Sequence, residues 1–166
     1  VYTPDWVVND MLNLIPTDGK EKQEVDNEKK VISLTETYLE PACGNGNFLI
    51  RIIDRKLNKA VELGESDILL NVIKAYTTTY GVDIMHDNVE ESKMRMLLRL
   101  GRNKELMNLL ENKDTDTLIK EIKFVMDKNI HWGNMLTGMK QCEDGKDSEE
   151  DMVFTDWKFN GDGDKL

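Results

Sequence analysis

The chain has 166 residues, 39% of them apolar and 33% charged, with a formal net charge of −10. That is the composition of one globular domain large enough to bury a normal core. No apolar run approaches the roughly 20 residues of a membrane span, and no signal-peptide pattern is present. The acidic surface repels phosphate backbones, so this piece alone is not expected to grip nucleic acid.

Thr3-Pro4-Asp5 is a helix start, with Thr3 as N-cap, Pro4 in the first helical position and an acid in the first turn. Val7, Val8, Met11, Leu12 and Ile15 form its apolar face, and Pro16 ends it. The polar stretch 17–30 is expected to be a solvated loop or partly disordered insertion. The chain begins at Val1 inside this patterned segment, as an excised piece of a longer protein would.

Residues 31–39 read as the first strand. A glycine turn, Glu40-Pro41-Ala42-Cys43-Gly44-Asn45-Gly46, follows. It opens a helix with Phe48, Leu49, Ile52, Ile53, Lys56 and Leu57 on one face. Gly64 breaks that helix, and Ser66-Asp67 can cap another carrying Ile68, Leu69, Val72 and Ile73. The β-branched and aromatic run from Tyr76 to Ile84 predicts a second strand, with Asp83 near its end. A helix in capping-box style starts near Asp87, with Val89, Lys93, Met96, Leu97 and Leu100 along one stripe, and Gly101 ends it.

Residues 104–123 predict one or two further helices. Phe124-Val125-Met126 and Asn129-Ile130-His131-Trp132 are short strand-like pieces, and residues 140–151 are an acidic loop. Residues 152–159 predict a last strand, and 160–164 a turn or fray. This alternation argues for an α/β fold with a mostly parallel sheet. The two cysteines, Cys43 and Cys142, form no CxxC pair. They argue against a zinc site or disulfide framework and suit a reducing cytoplasm. His86 and His131 lack partners at metal-ligand spacing, so no metal site is expected. Trp132 and Trp157 are read as packing residues.

Strand, glycine turn and helix together make a small-molecule cradle, because Gly44 and Gly46 allow close backbone approach to a helix start. A phosphate-binding P-loop needs Gly-Lys followed by Ser or Thr. Here Gly19-Lys20 and Gly145-Lys146 are followed by Glu21 and Asp147, and that reading fails. A dinucleotide fingerprint needs a third glycine where Leu49 stands, and Asp83 lies about twice too far along. An adenosyl ligand without pyrophosphate asks for one glycine turn, an acid after the next strand to accept ribose hydroxyls, and a polar side chain after the third. Glu40 with Gly44 and Gly46, then Asp83, then Asn134 supply these in order, at strand C-terminal ends where open α/β sheets bind ligands.

Residues 40–49, EPACGNGNFL, match (D/E)-P-A-C-G-x-G-x-F-L, the first motif of the N6-adenine DNA methyltransferases of restriction–modification systems. Tyr2-Thr3-Pro4 with Val7, Val8 and Met11 resembles the motif that precedes it. Gly81-Val82-Asp83-Ile84 resembles the ribose-binding motif, and residues 130–136, IHWGNML, the adenine-binding one. The resemblance spans residues 2–136. It implies a Rossmann-like class I methyltransferase sheet with flanking helices and S-adenosyl-L-methionine as cofactor.

It also implies residue roles. Thr3 and the turn Pro41, Ala42, Cys43, Gly44, Asn45 and Gly46, backed by Phe48, border the methionine part, with Glu40 near its amino group. Asp83 takes the ribose hydroxyls, Ile84 packs on the adenine, Asn134 bonds its amino edge and Met135 lies beside it. DNA is the implied partner of the full-length parent, which could also carry a nuclease.

The family's catalytic Asn/Asp/Ser-Pro-Pro-aromatic motif has no counterpart. The only prolines are Pro4, Pro16 and Pro41. The expectation is a methyltransferase domain truncated before its later strands, able in outline to hold cofactor and not to methylate, with no catalytic residue of its own. RNA or protein-glutamine methylation is a runner-up within the fold. A non-catalytic binding or assembly module on the same fold is the alternative from another class.

Overall fold

The structure, a computed structural model, describes residues 3–15 and 32–159. Tyr2, the polar insertion and the 160–164 tail therefore lie outside the described residues. Helix α1 (Asp5–Leu14) is followed by strand β1 (Tyr38–Glu40), then α2 (Asn47–Glu62), α3 (Ile68–Thr77), β2 (Thr79–Asp83) and α4 (His86–Leu97). A 3₁₀ turn (Leu100–Arg102) leads to α5 (Lys104–Leu109) and α6 (Thr115–Asn129). Strands β3 (Ile130–Asn134), β4 (Met139–Gln141) and β5 (Asp147–Asp151) are the last elements of the described residues.

The strands form one open sheet in the order β1-β2-β3-β4-β5. β1, β2 and β3 are parallel, with Glu40 beside Gly81 and Asp83 beside Trp132. β4 and β5 add in antiparallel fashion, so the α/β fold expected from alternation is present and its sheet is mixed. The architecture is compatible with a Rossmann-like fold. Among the described residues, no helix is long and apolar enough to cross a membrane.

The pleat divides the sheet into two faces. Thr79, Gly81 and Asp83 share one face of β2 with Ile130 and Trp132 of β3. A Cβ on Gly81 would lie 2.9 Å from Leu49 Cδ1 and 3.3 Å from Cys43 Cβ, which puts α2 directly on that face. α3 and α4 pack against α2 there, and α6 packs against α3 and α4. Leu49, Ile53 and Leu57 of α2 join Val72, Tyr76, Met96, Leu106, Ile122 and Ile130 in the main core. The opposite face is crossed by residues 152–159. Phe154 packs edge-to-face on Tyr80 at 5.8 Å and on His131 at 4.9 Å, and the Tyr80 hydroxyl donates to the Thr155 carbonyl at 2.7 Å.

Several expected elements come out differently. The described part of the first strand pairs only over Tyr38–Glu40; Leu34 is buried ahead of it without pairing. Tyr76 and Thr77 end α3, because the Tyr76 ring is wholly buried and its hydroxyl donates to Met96 O at 3.1 Å. Tertiary burial overrides their strand propensity. Phe124-Val125-Met126 belong to α6, which buries Leu118, Ile122, Val125 and Met126 at helical spacing. The expected acidic loop instead contains the β4–β5 hairpin, and residues 152–159 form no strand.

Helix starts also shift. Pro4 takes the N-cap position of α1 in place of Thr3 and Met85 that of α4, while Asp67 holds the expected N-cap position of α3 in the left-handed region at φ 57°, all without a side-chain cap bond. α4 ends at Leu97, and Gly101 lies inside the 3₁₀ turn. On α1, Val8 and Leu12 are buried, while Met11 and Ile15 are not.

Candidate functional site

Residues 41–46 carry the chain from β1 to α2. Cys43 N–H donates to Val82 O at 2.8 Å, which ties the turn to β2 just beyond the last β1 pair. Gly44 and Gly46 turn with φ of 52° and 89°. At Gly46 a Cβ would lie 2.8 Å from Ser92 Cβ, so α4 closes against the bare backbone. Cys43 is buried beneath the turn, and Pro41 and Ala42 stand exposed on it.

Asp83, only 9% exposed, ends β2 facing that turn. Its Oδ2 accepts the Gly44 N–H at 2.8 Å. Its Oδ1 accepts the Met85 N–H at 2.9 Å and Asn88 Nδ2 at 3.0 Å. Glu40, at the end of β1, accepts the Ala42 N–H at 3.4 Å, and burial pushes its carboxyl above the usual value. The Cys43 thiol is pushed up to about 12, first by burial and then by the Asp83 charge. The turn is thus fronted by carboxylates.

Four further contacts hold the turn. Arg95 Nη1 donates to Asn45 O at 2.7 Å and Arg95 Nη2 to Asn47 Oδ1 at 2.9 Å, so α4 clamps the start of α2. Asn47 Nδ2 donates to the Thr3 carbonyl at 2.8 Å and brings the start of α1 to the same place. Asn45 Nδ2 reaches Glu91 Oε1 at 3.2 Å, while Asn45 Oδ1 is buried with no donor among the described residues. Asn47, Glu91 and Arg95 were not singled out from sequence. Glu91 and Arg95 lie one turn apart on α4, which the sequence shows, but nothing in it tells which groups of the turn they or Asn47 meet.

The remaining candidates divide. Ile84 and Met85 are exposed beside Asp83. The Trp132 indole donates to Ile84 O at 3.0 Å, and His86 stands edge-on to the same ring at 4.8 Å. Trp132 and Trp157 pack against the main core, as the sequence suggested. Phe48 packs with Tyr38 on the Val8, Leu12, Ile32 and Ile52 cluster under α1. Asn134 ends β3 on the same strand-end edge as Asp83. Its Oδ1 accepts the Leu136 N–H at 3.0 Å, and its amide donates to Asp147 at 3.2 Å. Its side chain is therefore engaged in the turn into β4, with Met135 partly exposed beside it. No cluster of three or more His, Cys, Asp or Glu suited to a metal occurs among the described residues.

The arrangement offers acceptors to a ligand: the carboxylates of Asp83 and Glu40. A phosphate at this turn would meet like charge. A ligand with hydroxyl and ammonium donors would meet complementary groups. Comparison of the chain with protein-family models, with curated proteins and with solved structures finds no match.

Proposed function

We propose that the chain is the S-adenosylmethionine-binding part of an N6-adenine-specific DNA methyltransferase of a restriction–modification system, on a class I methyltransferase sheet. The observation that carries the reading is the Asp83 carboxylate lying on the glycine turn at Gly44. That anion disfavours the phosphate ligands that glycine turns usually serve, and it suits a diol and a cation. The described residues fit this cofactor by donor and acceptor chemistry. Asp83 accepts the ribose hydroxyls, Glu40 faces the amino group, Ile84 and Met85 give the adenine an apolar surface, and Thr3 and Asn45 border the turn. When bound, the cofactor supplies a methyl group activated on a sulfonium.

The chain's own part is to bind and orient, since proximity accounts for much of the rate in such a transfer. The second half of the reaction needs a group that accepts hydrogen bonds from the target amine, and this sequence has no Pro-Pro pair to supply it. DNA is then the partner of the whole enzyme, contacted outside this acidic piece. A non-catalytic binding module is the second reading, favoured by the engagement of Asn134 with Asp147.

Calorimetric titration of the folded chain with S-adenosylmethionine tests the proposal. Wild type is expected to bind, and Asp83→Ala to weaken binding at least about tenfold, the effect of one lost charged hydrogen bond. Failure of folded wild type to bind at millimolar cofactor overturns it. Activity of a longer chain on adenine in duplex DNA separates the enzyme from the binding module.

A further inference from the structure

A cavity of about 600 Å³ opens on the outer flank of α2, between α1, the 3₁₀ turn and α5. Its cations are Arg51, Arg55, Arg99, Arg102 and Lys104, and its carboxylates Asp54, Glu62 and Glu105. The lining therefore carries an excess of two positive charges in a molecule of net charge −10.

Much of the local acid is already spent. Glu62 pairs with Lys59 at 3.0 Å. Asp54 is shared between Arg99, at 2.5 Å from Nε and 2.7 Å from Nη2, and Arg51 Nη1 at 3.4 Å. Arg51 Nη2 pairs with Asp5 as well, yet Arg51 Nε is buried with no acceptor among the described residues. Arg55 is only 4% exposed, and reaches the Asn9 carbonyl at 3.2 Å and Asn13 Oδ1 at 2.9 Å. Arg102 and Lys104 make no ion pair with a described residue. The site is built on one buried guanidinium, Arg55, with the half-buried Arg51 and Arg99 beside it, and is left open at its exposed rim.

We infer that this cleft binds a small phosphorylated anion carrying at least two negative charges. Guanidinium forks match phosphoryl oxygens in pairs. Three oxygens per phosphoryl group serve cations arriving from α2, the 3₁₀ turn and α5 better than the two of a carboxylate. The volume suits a small ligand, and the charged lining suits a polar one. The surrounding negative field disfavours a long nucleic-acid backbone. The site is separate from the glycine turn and does not depend on the cofactor reading.

Inorganic pyrophosphate is the probe, titrated calorimetrically into the whole chain at low salt. Wild type is expected to bind, the Arg102→Ala, Lys104→Ala double variant to bind at least about tenfold more weakly, and Glu105→Gln more tightly. The NMR resonance of the Arg51 Nε–H should shift on saturation, a signature that loosely attracted ions would not give. Both rim residues are exposed and form no ion pair among the described residues, so the double variant should keep its wild-type melting temperature. The inference is overturned by no binding to wild type at millimolar pyrophosphate or by equal affinity in the double variant. Equal binding of succinate, or tighter binding of a duplex oligonucleotide at the same residues, overturns it too.

Discussion

The Gly44 N–H donates to the Asp83 carboxylate at 2.8 Å, joining a glycine turn to a strand end 39 residues further along the chain. The same carboxylate accepts the Met85 N–H and the Asn88 amide. One anion therefore satisfies donors from the β1–α2 turn, the β2–α4 turn and α4 itself. Charge-assisted bonds of this kind stabilise more than neutral ones, and the geometry makes Asp83 structural before any ligand arrives. Asp83→Asn keeps the shape and removes the charge. It should cost about 2 kcal/mol in urea unfolding, with the far-ultraviolet spectrum unchanged. A loss below about 0.5 kcal/mol would mean that the Gly44 bond is incidental.

Gly46 and Gly64 separate strain from crowding. Both lie in the left-handed region, at φ 89° and 85°, but only Gly46 has a neighbour, Ser92 Cβ, 2.8 Å from where a Cβ would stand. Gly64→Ala should cost about 1 kcal/mol, the conformational penalty alone. Gly46→Ala should cost at least about 2 kcal/mol more, because the Ser92 backbone is also close and cannot yield as a side-chain tip does. Equal losses in matched denaturation curves would show that α4 is not packed on the turn as described.

The two thiols should behave as different chemical species. Cys43 is buried and Cys142 exposed, and burial together with the Asp83 charge pushes the Cys43 thiol up to about 12. Only the thiolate is nucleophilic. At pH 8 an aromatic disulfide reagent should titrate one thiol in the native protein and the second only on unfolding. Fast labelling of Cys43 in the native state would place the turn open to solvent and remove the packing beneath it.

What the sequence disclosed depends on whether the signal was local. The glycine turn, the inward face of α2 from Leu49 to Leu57, and the placement of Asp83 and Asn134 at strand ends were all legible, because periodicity and turn chemistry act over a few residues. Tyr76 and Phe124 were misassigned for one reason: their strand propensity was weighed without the helices that pack around Tyr76 and beside α6. β5, with the sequence DSEED, has no apolar alternation and pairs because the turn at Gly145 returns it to β4. Asn129 was read as a strand start. It is a fully buried bracket whose amide reaches the carbonyls of Tyr76, Thr77 and Thr79 and whose oxygen accepts the Trp157 indole at 2.8 Å. Those partners lie 28 to 53 residues away, beyond any local pattern.

Lys56 sits on the apolar face of α2, where the sequence placed it, and is fully buried. Its ammonium donates to Glu36 O at 2.6 Å, to Thr78 O at 3.2 Å and to the Thr78 hydroxyl, stitching α2 to the chain before β1 and to the α3–β2 junction. Burial pushes its pKa down to about 7, against the pull of the Glu36 carboxylate. An unfolded lysine titrates near 10.4, so between about pH 7 and about pH 10 the unfolded chain binds a proton that the folded chain does not. Stability must then rise with pH across that window, while below about pH 7 the cost of burying the charge is present in full. Lys56→Met keeps the apolar stem and cannot titrate. Denaturation of both proteins at pH 6, 7.5 and 9 should show wild type gaining on the variant as pH rises, by on the order of 2 kcal/mol. Other titrations are common to both and cancel in the difference. Parallel curves would mean that the three acceptors hold the ammonium charged throughout, and that hydrogen bonding outweighs desolvation at the base of α2.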